Sequence, residues 1–437
     1  MNNRKKAIEI FLSGVESVKP GNLISSYVAL QEDILIIKDL SFDLSLIKRI
    51  FLIGAGKASA GMAFEMESIL GERISEGHII TKYGHVGFLK YTGTSEAGHP
   101  IPDENGLKGT EKILAIARKA EQEDLVICLI SGGGSALMTD VPEGCTLSDL
   151  KVLNDVLLRS GADIQEMNCI RKHLSKVKGG HLAKTISPAP SVSLILSDVI
   201  GDPLDVIASG PTAPDPTTFA DALAVVKKYK IESLIPARIN QYLLEGQEGK
   251  HPETMKANNQ TMRFINNVII GNNTLALNEA AKKAQQFDYH TRILTYSLEG
   301  ETEILAKEIV QHATKFKIEN KKEKICLLFG GEPTIKINGN GLGGRNQHLT
   351  LIAAKLLKNS KGITILSGGT DGTDGPTDAA GAVCDYKTCQ TAQKLQLDID
   401  TYIEEYNSYA FFKQAGGLII TGPTFTNVMD IIVVLIN

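Results

Sequence analysis

The chain has 437 residues, 43% hydrophobic and 22% charged, ordinary values for a folded globular protein of two or three domains. A net charge of -4 gives no general attraction to nucleic acid or an anionic membrane, and with no Trp and 5% aromatics, platforms for stacking bases are scarce. No apolar run approaches the roughly 20 residues of a membrane span, and the charged Met1–Leu12 segment lacks a signal-peptide core, so a cytoplasmic location is expected.

Short runs rich in Val, Ile and Leu recur, and glycine follows most of them. Arg49–Ile53 leads into Gly54, Leu125–Ile130 into Ser131–Gly134, and Val192–Leu196 into Ser197-Asp198. Val268–Ile270 leads into Gly271, Ile325–Phe329 into Gly330-Gly331, and Ile363–Leu366 into Ser367–Gly369. The runs are continuous rather than alternating, as in parallel strands buried on both faces. Between them the spacing predicts helices over Lys57–Leu70, Leu107–Glu121, Leu147–Arg159, Thr274–Gln286, Thr302–Thr314 and Arg345–Leu357. The alternation predicts a doubly wound α/β architecture, in which ligands bind at the carboxyl ends of strands. The polar stretch Glu245–Gln260 divides the chain into domains of residues 1–250 and 251–437. Of six cysteines, Cys128 and Cys326 lie in apolar runs and read as core; Cys384 and Cys389 stand as an alternative redox pair.

The loops at the strand ends carry the candidate chemistry. Gly54-Ala55-Gly56-Lys57-Ala58-Ser59 follows a strand and opens a helix, where free N–H groups and the positive dipole end suit phosphate. It lacks Walker A spacing and departs from G-x-G-x-x-G at Ser59. Lys57 is placed to meet phosphate; a solvated first-turn lysine is the alternative. Ser131-Gly132-Gly133-Gly134-Ser135 reads as a nest of N–H groups around an anion, against a plain strand-to-helix turn. Asp198, at the end of a buried strand, is the candidate Mg²⁺ ligand, with Asp202 and Asp205 as followers. Arg345 opens a helix after Gly343-Gly344, against the dipole preference, and offers a planar fork for carboxylate or phosphate; a surface salt bridge is the alternative. Asp371, Asp374 and Asp378 crowd one loop, suited to cation binding or hydroxyl recognition, or else folded onto their own backbone. His99 and His173 have no neighbouring nucleophile and read as structural.

With these loops in view, the chain resembles the glycerate 2-kinase family, whose C-terminal part is the MOFRL domain. The likeness rests on GAGKAS at Gly54–Ser59, SGGGSAL at Ser131–Leu137, NCIRKHLSKVKGG at Asn168–Gly180 and LILSDVIGDPLDVIASGPT at Leu194–Thr212. It continues in GGEPT at Gly330–Thr334, GGRNQ at Gly343–Gln347, LSGGTDGTDGPTDAAGA at Leu366–Ala382 and TGPTFTNVMD at Thr421–Asp430. The resemblance implies two three-layer α/β/α domains, the N-terminal one Rossmann-like, with the active site in the cleft between them. It implies ATP- and Mg²⁺-dependent phosphorylation of D-glycerate at its 2-hydroxyl, with Lys57 and Arg345 as the catalytic pair and Asp198 beside them as metal ligand. The nucleotide- and phosphate-binding set is then Gly54, Gly56, Ser131, Gly132, Gly133, Gly134, Ser135, Gly210 and Asn272. Glu332, Asn346, Asp371, Asp374 and Asp378 are expected to orient substrate or its hydroxyl. No nucleic-acid or membrane partner is expected. Two other readings compete: an NAD(P)H-dependent hydroxypyruvate reductase, opposed by the poor placement of Glu76 as a ribose-binding acid, and a non-catalytic nucleotide sensor.

Overall fold

Asn2 caps a helix over Asn3–Ser17 by accepting the Lys5 N–H at 3.0 Å, and Ala7, Ile10, Phe11, Gly14 and Val15 form its buried stripe. In a computed structural model, which describes residues 2–320 and 323–437, this helix belongs with the C-terminal part of the chain. One unit is Met1–Asn22 with Gly271–Asn437; the other is Leu23–Ile270. The division therefore differs from the expected 250/251. The polar stretch is no linker: the Asp215 N–H donates to the Met255 carbonyl at 2.7 Å, and the Met255 N–H to the Gly179 carbonyl at 2.9 Å. The chain then adds the strand Ile265–Gly271 to the edge of the first sheet. Backbone pairing absorbs the polar groups that made the stretch look like a boundary.

The Leu23–Ile270 sheet begins in its middle. From Ile50–Ala55 the chain moves outward through Ile74–Lys82 to Gly93–Ala97. It then returns to the other side of the first strand at Leu125–Ser131 and moves outward through Ser191–Leu196 to Ile265–Gly271. The first five of these strands pair in parallel. This is the Rossmann order, and its reversal point, where open α/β sheets bind ligands, lies between Ile50–Ala55 and Leu125–Ser131. Phe51, Ile53, Val126 and Cys128 pack with Ile113, Leu114 and Ala117 of the Glu104–Ala117 helix in one core.

Two parts of this unit escape a simple strand–helix alternation. Val28–Gln31, Ile34–Ile37 and Leu40–Asp43 form a small antiparallel sheet. The helices Leu147–Ser160, Ile164–His173, Phe219–Lys228 and Ala237–Gln247 enclose a separate core that includes Leu153, Ile170, Phe219 and Leu243.

The second unit has a mixed sheet in the order His290–Glu301, Ile325–Thr334, Asp430–Ile436, Ile363–Gly369, Gly381–Asp385, Leu418–Ile419. Only the first neighbouring pair is parallel. The expectation of parallel strands thus fails here. A continuous apolar run reports burial on both faces, not direction, and the last strand of the chain enters the sheet centre antiparallel to both neighbours. Alternate residues Leu327, Phe329, Ile365, Ile432 and Val434 pack with the helices Thr302–Glu319 and Arg345–Leu356. The N-terminal helix packs with the Asn273–Gln286 helix and against three strands of the sheet. A Cβ on Gly368 would lie 2.9 Å from the Phe11 ring. All six cysteines are free thiols, with Cys128, Cys169, Cys326 and Cys384 buried.

Phe11 is fully buried in this packing. Phe11→Ala is therefore expected to destabilise the unit holding Gly271–Asn437 by about 3–5 kcal/mol, read as a lower urea midpoint at unchanged m-value.

Candidate active site

At the reversal point the two strands approach too closely for side chains. A Cβ on Gly54 would lie 2.1 Å from the Leu129 carbonyl oxygen, and one on Gly56, at φ 143°, 2.0 Å from Ser131 Oγ. The Lys57 N–H donates to the Gly132 carbonyl at 2.9 Å, and the Ala58 N–H to Ser131 Oγ at 3.0 Å. These glycines and the buried Ser131 therefore seat one loop on the other. The loop glycines explained from sequence as room for phosphate are needed first by the protein's own backbone.

Gly133, in the left-handed region at φ 81°, precedes a short turn over Gly134–Leu137. The position a Gly133 Cβ would take lies 2.9 Å from the His99 ring and 3.4 Å from Lys57 Cγ, so the lysine stem runs beside the Ser-Gly turn. Ser135 Oγ lies 2.8 Å from Ser209 Oγ, which donates to Asn168 Oδ1 at 3.2 Å. Gly210, at φ 61°, follows at once. The sequence-predicted Lys57, Gly54, Gly56, Ser131–Ser135 and Gly210 thus come together. Asp198 lies just past Leu196, whose strand partner is Ser131, at the same carboxyl edge of the sheet.

Beside the Gly133–Ser135 turn opens a cavity of about 650 Å³, whose lining joins the cations Arg171 and Lys178 and the carboxylates of Asp140 and Asp155 to apolar residues of the helical cluster. Both cations lie in the segment Asn168–Gly180, where the sequence pattern gives neither a role. Arg171 Nε donates to Asn154 Oδ1 at 2.9 Å. Lys178 Nζ donates to the Met138 carbonyl at 3.1 Å and lies 3.9 Å from Asp140. Burial lowers the pKa of both cations, with Asp140 opposing the shift at Lys178. Their surroundings are set by residues across the fold, which periodicity does not expose.

In the second unit Arg345 opens its helix but turns its side chain away. Nε and Nη2 donate to the two oxygens of buried Asp430 at 2.6 and 3.0 Å, and Nη1 donates to Glu332 at 2.8 Å. Burial opposes the charge, but Asp430 outweighs it and raises the guanidinium pKa further. Asp430, which sequence analysis left without a role, is therefore the group that aims Arg345.

Asp374 meets the helix dipole that Arg345 defies. Its carboxylate accepts the Asn346 and Gln347 N–H groups at 3.0 and 2.8 Å. A Cβ on Gly344 would lie 2.3 Å from the Asp374 carboxyl carbon, so that glycine admits the cap. Asp374 and Asn346 are 2% and 1% exposed, and Asn346 Oδ1 accepts from Ser367 Oγ at 2.5 Å. Both are thus buried and engaged in hydrogen bonds within the unit. Asp371 accepts from the Thr373 N–H at 3.0 Å, and Asp378 from the Tyr409 hydroxyl at 2.8 Å. Asn272, expected to touch nucleotide, caps the Asn273–Gln286 helix by accepting the Leu275 N–H at 3.0 Å. Among the described residues no group of three or more His, Cys, Asp or Glu side chains is placed to hold a metal ion.

A Rossmann-ordered unit with a lysine and a glycine turn at its reversal point, followed by a mixed-sheet unit, defines an α/β protein. Residues 6–244 match a family described as a domain of unknown function (DUF4147), and residues 325–430 match the MOFRL family. The D-glycerate 2-kinase of Thermotoga maritima is 40% identical over 99% of this chain and 98% of its own. A protein named putative hydroxypyruvate reductase, from Agrobacterium vitis, is 39% identical over 89% of this chain and 87% of its own. The crystal structure of glycerate kinase from Thermotoga maritima superposes with a TM-score of 0.86 at 39% identity, covering 99% of each chain. The chain belongs to the glycerate kinase family.

Burial raises the Asp374 pKa to about 6, against the helix N–H groups that lower it. The folded protein thus keeps this proton up to about pH 6, whereas the unfolded chain loses it near 3.8. The folded state binds more protons between those values, so this group's contribution to stability falls as pH rises from about 4 to 6 and is level above. Asp374→Asn has no such titration, and its urea midpoint is expected to fall less than that of the wild type over the same window.

Proposed function

We propose that the protein is a glycerate 2-kinase that transfers the γ-phosphoryl group of ATP to the 2-hydroxyl of D-glycerate. The hydroxyl oxygen bonds to the γ-phosphorus, the bond from that phosphorus to the ADP oxygen breaks, and the hydroxyl proton is released. The products are 2-phosphoglycerate and ADP. Full-length kinship with glycerate kinases carries the reading, and the lysine-bearing glycine turn at the sheet's reversal point supports it.

Phosphoryl transfer asks a protein for positioning and charge stabilisation more than for covalent work. Lys57 and the Ser131–Ser135 turn are assigned to phosphate. Arg345 is assigned to the glycerate carboxylate or the moving phosphoryl group. Its bonds to Asp430 and Glu332 engage three N–H groups of the five a guanidinium carries, which leaves donors for a ligand anion. Glu332, Asp371 and Asp378 are the acids proposed to orient the hydroxyl.

Mg²⁺ is held through one or two carboxylates together with substrate phosphates rather than by an all-protein cage. The single carboxylate of Asp198, part-exposed just past a strand end, fits that donor set. Bound there, the ion would neutralise phosphate charge. The reductase alternative needs an acid at the carboxyl end of the second strand. Glu76 instead lies near the start of Ile74–Lys82 and pairs with Lys119 at 2.7 Å.

Incubation with ATP, MgCl₂ and D-glycerate should yield 2-phosphoglycerate by ³¹P NMR; formation of 3-phosphoglycerate, or none, would refute the assignment. Lys57→Ala and Arg345→Ala should each lower kcat/KM by about 10²–10³, the loss typical of removing one preorganised charge-stabilising group. Asp198→Asn should raise the Mg²⁺ concentration needed for half-maximal rate, and an unchanged requirement would remove Asp198 from the metal site.

A further inference from the structure

The cavity beside the Gly133–Ser135 turn has two chemically unlike sets of lining residues. At its mouth Ile101, Leu158 and Ile164 are 66%, 67% and 54% exposed, with Leu150 and Leu153 behind them. Single exposed apolar residues need no explanation, but several around one opening mark a surface that something apolar covers. Arg171 and Lys178 also line it, together with the carboxylates of Asp140 and Asp155.

These two cations are poorly matched by the protein. None of the ion pairs among the described residues includes Arg171. Lys178 donates to the Met138 carbonyl and has one ion-pair partner, Asp140 at 3.9 Å, whose carboxylate already accepts Ser175 Oγ at 2.6 Å and the Lys176 N–H at 2.5 Å. The adjacent Lys172 shows the contrast: it is bonded to Asp205 and Asp215 at 2.9 and 3.2 Å. Buried Lys178, with a single ion-pair partner at 3.9 Å, and part-buried Arg171, with none among the described residues, carry a desolvation penalty that a bound anion would relieve.

Size separates the candidate ligands. Clefts of about 300–1,000 Å³ enclose drug-sized molecules, far larger than a three-carbon acid. Glycerate also has no apolar face to set against Leu150, Leu158 and Ile164. We propose that this cavity is the nucleotide site, taking a purine base between its apolar walls and the polyphosphate toward Arg171, Lys178 and the Gly133–Ser135 turn. The proposal rests on the kinase reading above and adds Arg171 and Lys178 to the nucleotide-binding groups.

Calorimetric titration of the full chain with ADP and with adenosine, in the absence of glycerate, tests it. Leu158 is exposed, so Leu158→Asp should fold; it should weaken ADP and adenosine alike by about tenfold or more, while Leu158→Met retains both. Lys178→Met should weaken ADP by a similar factor, about tenfold, and leave adenosine unchanged, because it removes only the phosphate partner. In steady state Leu158→Asp should raise KM for ATP and not for glycerate. ADP affinity indifferent to Leu158→Asp, or a rise in KM for glycerate instead, would overturn the proposal. Titrations that behave as expected in a protein that makes no phosphoglycerate would support the nucleotide site and refute the kinase reading.

Discussion

In the Leu23–Ile270 unit the strands Ile50–Ala55 and Leu125–Ser131 run so close at their carboxyl ends that positions 54 and 56 have no space for a Cβ. Most of the architecture around the reversal point depends on that approach. It lets the Lys57 and Ala58 N–H groups reach Gly132 and Ser131, which locks the first loop onto the second. It sets the Lys57 stem alongside Gly133, and the Gly133 turn in turn brings Ser135 to Ser209. A bulkier residue at either position would separate the strands and dissolve the arrangement, because carbonyl oxygens in a sheet have nowhere to retreat.

The second unit orders its polar site by charge. Asp430 grips Arg345 through two parallel N–H donors, a geometry that fixes direction as well as proximity. Asp374 supplies the negative charge that the helix N-terminus favours, which frees position 345 to carry a cation. The rule that Arg345 breaks locally is thus satisfied by a residue 29 positions later. Both carboxylates are buried, so the guanidinium is held in place before any ligand arrives.

The secondary structure was largely legible. The six apolar runs are all strands, and the six periodic segments are all helices, because burial on two faces or on one stripe leaves a pattern in neighbouring residues. The loops at the strand ends were legible too, since runs of glycine stand out against the apolar strands that precede them. Less of the site could be read. Ser131, Asn346 and Asp374 looked like ligand-facing groups because they are polar and sit in those loops; each also accepts a hydrogen bond from within its own unit, which the sequence does not show. Arg171, Lys178 and Asp430 left no signal, because nothing in their immediate neighbours reports what faces them across the fold.

The order of residues alone determined the α/β alternation, the glycine turns at strand ends, and the family kinship carried by those turns. These are properties of consecutive residues: period, backbone freedom and local composition. Only the tertiary structure decided that the second sheet is mostly antiparallel, that the N-terminal helix joins the C-terminal part of the chain, and which charges pair. Strand direction, docking and ion pairing join residues far apart in the chain, and the physics that selects them acts through space rather than along the chain.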